Sequence, residues 1–98
     1  MQLLYSGGGD PLAFLEGTFV YRMSGEPVGF LDGTHVHKLS DGSYVGELYR
    51  DMIVNTYESS PGPATSPGSP GRVPPADNPG GRGPYDYGYP CVLQRLLD

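Results

Sequence analysis

Apolar and polar positions alternate through the first half of the chain in runs too short for helices. Leu12-Ala13-Phe14-Leu15, Val28-Gly29-Phe30-Leu31 and Val45-Gly46-Glu47-Leu48 are three copies of one front strand, spaced by 16 and then 17 residues with Asp41 as the extra one. Leu3-Leu4-Tyr5, Phe19-Val20-Tyr21, His35-Val36-His37 and Met52-Ile53-Val54 are four copies of a back strand at the same shifts. Glu16-Gly17 and Asp32-Gly33 are acidic–Gly pairs between apolar runs, a strong hairpin signal because Gly tolerates a positive φ. Ser24-Gly25-Glu26-Pro27 and Ser40-Asp41-Gly42-Ser43 mark the second turn of each unit, and Pro11 and Pro27 open strands where a missing N–H does least harm. Self-similarity at a fixed period means that each copy buries its apolar face against its neighbours. The pattern predicts an all-β meander of about seven short antiparallel strands.

Period two sorts the side chains by face. Leu4, Val20, Val36 and Ile53 fall on one face with Leu15, Leu31 and Leu48, and these aliphatic columns are the expected core. Ala13, Gly29 and Gly46 share that face and stay small in every copy, which predicts crowding near an axis or a bend. The opposite face carries Tyr5, Tyr21, His37 and Val54, then Leu3, Phe19, His35 and Met52, then Phe14, Phe30 and Glu47. It is too apolar for a solvated surface and is expected to meet another layer, the tail or a second subunit.

The string Pro27-Val28-Gly29-Phe30-Leu31-Asp32-Gly33, with Val36, Lys38-Leu39-Ser40, Gly42-Ser43-Tyr44-Val45-Gly46-Glu47-Leu48 and Arg50-Asp51-Met52-Ile53-Val54, resembles the small bacterial four-fold β-flower domains. The resemblance covers residues 1–57. It implies β-hairpin petals around a pseudo-four-fold axis and brings no functional residues with it.

A repeat half of 57 residues is marginal on its own, since a domain of that size buries roughly 60% of its unfolded surface. The chain has one cysteine, Cys91, which excludes an intrachain disulfide and leaves self-association or docking of the tail as the expected support. Residues 1–57 hold seven acidic and three basic side chains, and the chain carries −5 overall, which argues against nucleic acid and anionic lipid. No stretch approaches the ~20 apolar residues of a membrane span, and the start lacks signal-peptide character, so a cytoplasmic protein is expected.

Residues 58–90 change character, with nine prolines and seven glycines and almost no aliphatics. Such a segment is expected to be a disordered, extended linker. Residues 91–98 turn apolar again after Tyr85, Tyr87 and Tyr89. Val92, Leu93, Leu96 and Leu97 form a stripe at helical spacing, and a helix this short needs a receiving surface. Three arrangements are open. The stripe could dock on the repeat sheet, it could anchor a protein partner on a tether, or Pro90-Cys91-Val92-Leu93 could supply the missing fourth front strand.

Candidate chemistry is thin. His35 and His37, at i and i+2, project from one face, but two imidazoles do not make a metal site and none is assigned. Cys91 has no Cys-x-x-Cys companion, and Gly7-Gly8-Gly9 lacks the helix and Lys of a phosphate loop. No catalytic residue and no cofactor is expected. The sequence reads as a non-enzymatic structural or protein-interaction module that engages a protein partner or a second copy. The alternative is a small-ligand or carbohydrate module with Tyr5, Phe19, Tyr21, His35 and His37 lining the site.

Overall fold

A computed structural model describes residues 1–56, 62–81, 83 and 88–97. Seven strands form one antiparallel meander in chain order: β1 (Gln2–Tyr5), β2 (Pro11–Glu16), β3 (Phe19–Arg22), β4 (Pro27–Asp32), β5 (His35–Lys38), β6 (Tyr44–Tyr49) and β7 (Met52–Val54). One helix, α1 (Leu93–Leu97), follows among the described residues. The strands lie where the alternation and the acidic–Gly punctuation placed them.

The three hairpins share one register. Glu16 faces Phe19, Asp32 faces His35 and Tyr49 faces Met52 across two-residue connections. Gly17 and Gly33 open the first two connections at φ +63°, whereas Arg50 holds the same place in the third at φ +55°. Each hairpin turn then accepts a bond from the next piece of sheet. Leu31 N–H donates to Thr18 O, Leu48 N–H to Thr34 O and Tyr5 N–H to Asp51 O, all at 2.8 Å. The last of these, with Gln2 Nε2 on Arg50 O at 2.7 Å, brings the first strand round to the last hairpin and nearly closes the sheet.

A bulge recurs once per unit, at Leu12, Val28 and Val45. Tyr5 pairs with Pro11 and Leu4 with Ala13, Tyr21 with Pro27 and Val20 with Gly29, His37 with Tyr44 and Val36 with Gly46. An extra residue bends its strand, so these three aliphatics reach the inner cluster although strict alternation sends them outward. The bend lies beside the small column of Ala13, Gly29 and Gly46.

The inner face is closed by the chain's own end. Leu4, Ala13, Val20, Val36 and Ile53 are buried together with Val92, Leu93 and Leu96. Cys91 bridges antiparallel to Val54, Asn55 N–H donates to Pro90 O at 2.9 Å and Val92 N–H to Ile53 O at 2.8 Å. Pro90 therefore takes the place of Glu26 and Ser43 in the earlier units, whose carbonyls accept from Arg22 and Lys38 at 2.8 Å. The fourth front strand begins at this point and turns helical at Leu93. Docking on the sheet and the fourth-strand arrangement are thus combined, with Cys91 opposite Val54 as Pro27 is opposite Tyr21. A Cβ on Gly29 would sit 2.8 Å from Leu96 Cδ1 and one on Gly46 2.6 Å from Val92 Cγ2, so the small column makes room for this plug. The Arg22 guanidinium donates to Leu97 O at the end of α1.

The segment expected as a free linker has no helix or strand in its described residues, but it does not run free of the sheet. Ala64 N–H donates to Gly42 O at 2.9 Å, Val73 N–H to Gly25 O at 3.0 Å and Ala76 N–H to Met23 O at 3.0 Å. These are backbone bonds, which a count of apolar side chains does not anticipate. Residues 57–61, 82, 84–87 and 98, Tyr85 and Tyr87 among them, lie outside the described residues.

Candidate functional site

The outer face is buried as well, and its aromatic columns stack within each hairpin. Phe14 lies on Tyr21 with ring centroids 5.2 Å apart, and Phe30 on His37 at 5.4 Å. Strand β5 turns Val36 inward and both histidines outward, and the register sets His35 opposite Glu47 and His37 opposite Tyr44.

A polar cluster results. Glu47 Oε2 accepts from Thr34 Oγ1 at 2.8 Å, and Oε1 accepts from Tyr44 OH at 3.0 Å and pairs with His35 Nδ1. Burial pushes the Glu47 carboxyl up, but the bonds from Thr34, His35 and Tyr44, with the His35 charge, outweigh it and hold it below its ordinary value. The Tyr44 ring meets His35 and His37 edge-on at 6.0 and 5.8 Å. His37 is 1% exposed, its Nδ1–H donates to Gly42 O at 3.0 Å, and its buried Nε2 has no hydrogen-bond partner among the described residues. Among those residues no group of three His, Cys, Asp or Glu could hold a metal ion. A carboxylate so fully engaged is a structural anion; the half-exposed His35 ring is the accessible polar group.

The five sequence-predicted binding residues do not share one pocket. His35 and His37 are brought together. Tyr21 is buried on Phe14, and Tyr5 is half-buried on β1. Phe19 lines a shallow hollow of about 370 Å³ with Phe30, Leu31, Asp32, Ala64 and Pro67. Of the four predicted anchors, Val92, Leu93 and Leu96 are buried in the chain's own core and Leu97 packs against it. Sequence reasoning missed Glu47, Tyr44 and Thr34. The available signal was Glu47 itself, a lone charge in the column that Phe14 and Phe30 occupy in the other units.

A larger groove of about 460 Å³ opens beside the plug, with Pro27, Val28, Leu39 and Leu96 as its apolar lining and Arg22, Glu26 and Lys38 as its charges. Arg22 is engaged by Glu26 at 3.5 Å and by the Leu97 carbonyl. Hydrogen bonds from Ser43 hold the Asp41 carboxyl below its ordinary value, and the nearby Lys38 charge acts in the same direction.

Bulged hairpins repeated around a common core, closed by backbone bonds and plugged by the C-terminus, define a small all-β repeat ring. A family model described as the 4-fold beta flower protein matches residues 2–82, and the chain belongs to that family. No curated protein matches the chain, and no solved structure does. No helix among the described residues is long and apolar enough to cross a membrane.

Proposed function

We propose that the chain is a non-enzymatic protein-interaction module whose working surface is the groove beside the plug. The observation that supports this is the pairing of an aliphatic lining, Val28, Leu39 and Leu96, with the charged side chain of Lys38 in one groove. Such a surface suits a protein segment that presents a carboxylate next to an aliphatic side chain, with the apolar contact giving affinity and the charge giving orientation. The predicted anchors Val92, Leu93 and Leu96 serve the interior, so a partner is met by the rim of the plug rather than by a free C-terminal helix.

The test is capture from native lysate on the full chain and on Lys38→Glu, with melting curves of both. The expected result is a stoichiometric protein held by the native chain and lost on the charge reversal at unchanged stability. A protein held equally by both would remove the groove from the reading. Self-capture alone from both would remove the partner.

A further inference from the structure

We propose that the turns at Gly9, Gly25 and Gly42 form a row of peptide-docking sites, and that residues 62–81 of the same chain are the ligand. The proposal does not rest on a partner in the groove, although the strap's Ser69 is part of that groove's wall. The three glycines hold the same place in their units and share a left-handed backbone, at φ +93°, +95° and +77°. Two of them receive the Pro/Gly-rich segment in one geometry. Val73 N–H donates to Gly25 O and Ala64 N–H to Gly42 O, while a Cβ on either glycine would run into the carbonyl oxygen of the same strap residue. Hydrogen in place of Cβ is what lets the two backbones meet on both sides. Neighbouring carbonyls one unit apart repeat the contact: Leu39 O accepts from Ser66 Oγ at 2.6 Å and Met23 O from Ala76 N–H at 3.0 Å.

The segment carries a repeat of its own that matches this row. Ser60-Pro61-Gly62, Ser69-Pro70-Gly71 and Asn78-Pro79-Gly80 stand nine residues apart, and a fourth copy, Ser66-Pro67-Gly68, falls between the first two. Three of the four are built alike, with Gly68 N–H on Ser66 Oγ at 3.3 Å, Gly71 N–H on Ser69 Oγ at 3.1 Å and Gly80 N–H on Asn78 Oδ1 at 2.8 Å, and their glycines at φ +86°, +88° and +88°. Ala64 and Val73 stand nine apart and dock one sheet unit apart. Gly81 arrives one residue ahead of the next step, where its Cβ would sit 3.2 Å from Asp10 Oδ1 and 3.6 Å from Gly9 O. Nine extended residues span at most about 30 Å, which suffices for one step around a molecule 35 × 33 Å across. The strap thus bonds Gly42 and Gly25 in reverse chain order and brings Gly81 beside Gly9. The family match, residues 2–82, takes in these contacts and ends just past the third.

Because the turns offer backbone carbonyls, the row recognises an extended segment that presents amide donors at nine-residue spacing, as Ala64 and Val73 do, not a particular side chain. Residue-resolved hydrogen exchange on the full chain tests this. The Ala64, Val73 and Ala76 amides should exchange about tenfold or more slowly than those of exposed Thr65 and Asp77, after correction for intrinsic rates. Val73→Pro removes the strap donor without touching the sheet; it should raise exchange at Ala76 about tenfold while β3 and β5 stay protected. Gly25→Ala should act alike from the sheet side. Equal exchange at all five amides in the native chain would overturn the proposal, as would an Ala76 rate unmoved by Val73→Pro. Protection that disappears on dilution would place the strap on a second copy and overturn docking within one chain.

Discussion

The two faces of the sheet are closed by different parts of the chain and by different forces. On the inner face every back strand offers an aliphatic and every front strand a small residue at matching places, and the plug fits by volume. On the outer face the columns vary, Phe14, Phe30 and Glu47 in one and Tyr21, His37 and Val54 in the next, and closure comes from stacking and hydrogen bonds. The inner face is constrained because one short plug must touch several units at once, with Leu96 against Gly29 and Val92 against Gly46. The outer face is free to diversify because the strap reads backbone carbonyls, Gly25 O and Gly42 O, and is indifferent to the side chains between them. A repeat protein can therefore acquire local chemistry on one face without losing its fold.

The largest expected effect lies inside. Leu93 is fully buried in the core, so Leu93→Ala should cost about 3 kcal/mol, from lost transfer energy and the cavity left behind. Chemical denaturation reads this directly, and a loss under about 1 kcal/mol would mean that the plug is not part of the folding unit.

Outside, Glu47→Gln should cost about 1 kcal/mol at neutral pH, since a neutral amide accepts less strongly from Thr34, His35 and Tyr44. The native carboxyl titrates below its ordinary value of 4.5, so its contribution is complete above that pH and is lost as pH falls through the lower folded value. The native and variant stability curves should therefore converge on acidification. A gap that persists unchanged to pH 3 would show that the carboxylate charge is irrelevant to the outer face.

The smallest effect has the opposite sign. Arg50 sits at φ +55° where the other two hairpins use glycine. Arg50→Gly relieves that strain but adds freedom to the unfolded chain, and should stabilise by about 0.5 kcal/mol. A loss of stability in thermal melts would show that the Arg50 side chain contributes more than its backbone costs.

Much of this was legible in the residues. The strand boundaries, the inner columns and the helical stripe follow from periodicity, because a half-buried strand must alternate and a docked helix must show one apolar side. The bulged aliphatics were not legible. Leu12, Val28 and Val45 read as outward by alternation and reach the core because the ladder skips a residue opposite each back strand. The polar cluster was half legible: the histidines announced themselves, but Glu47 lies ten or more residues away and is brought to His35 by sheet register.

By itself the sequence determined the number of units, the face that forms the core and the need for an added element to complete a marginal domain, since these depend on period and composition. The tertiary structure decided which element that is and where it lies. It placed α1 over the small column, started a fourth strand at Cys91 and laid the Pro/Gly-rich segment along the turns. Those outcomes rest on backbone groups of distant residues meeting, such as Val73 with Gly25 and Asn55 with Pro90. No side-chain pattern encodes such a meeting, because every residue other than proline carries the same donor and acceptor.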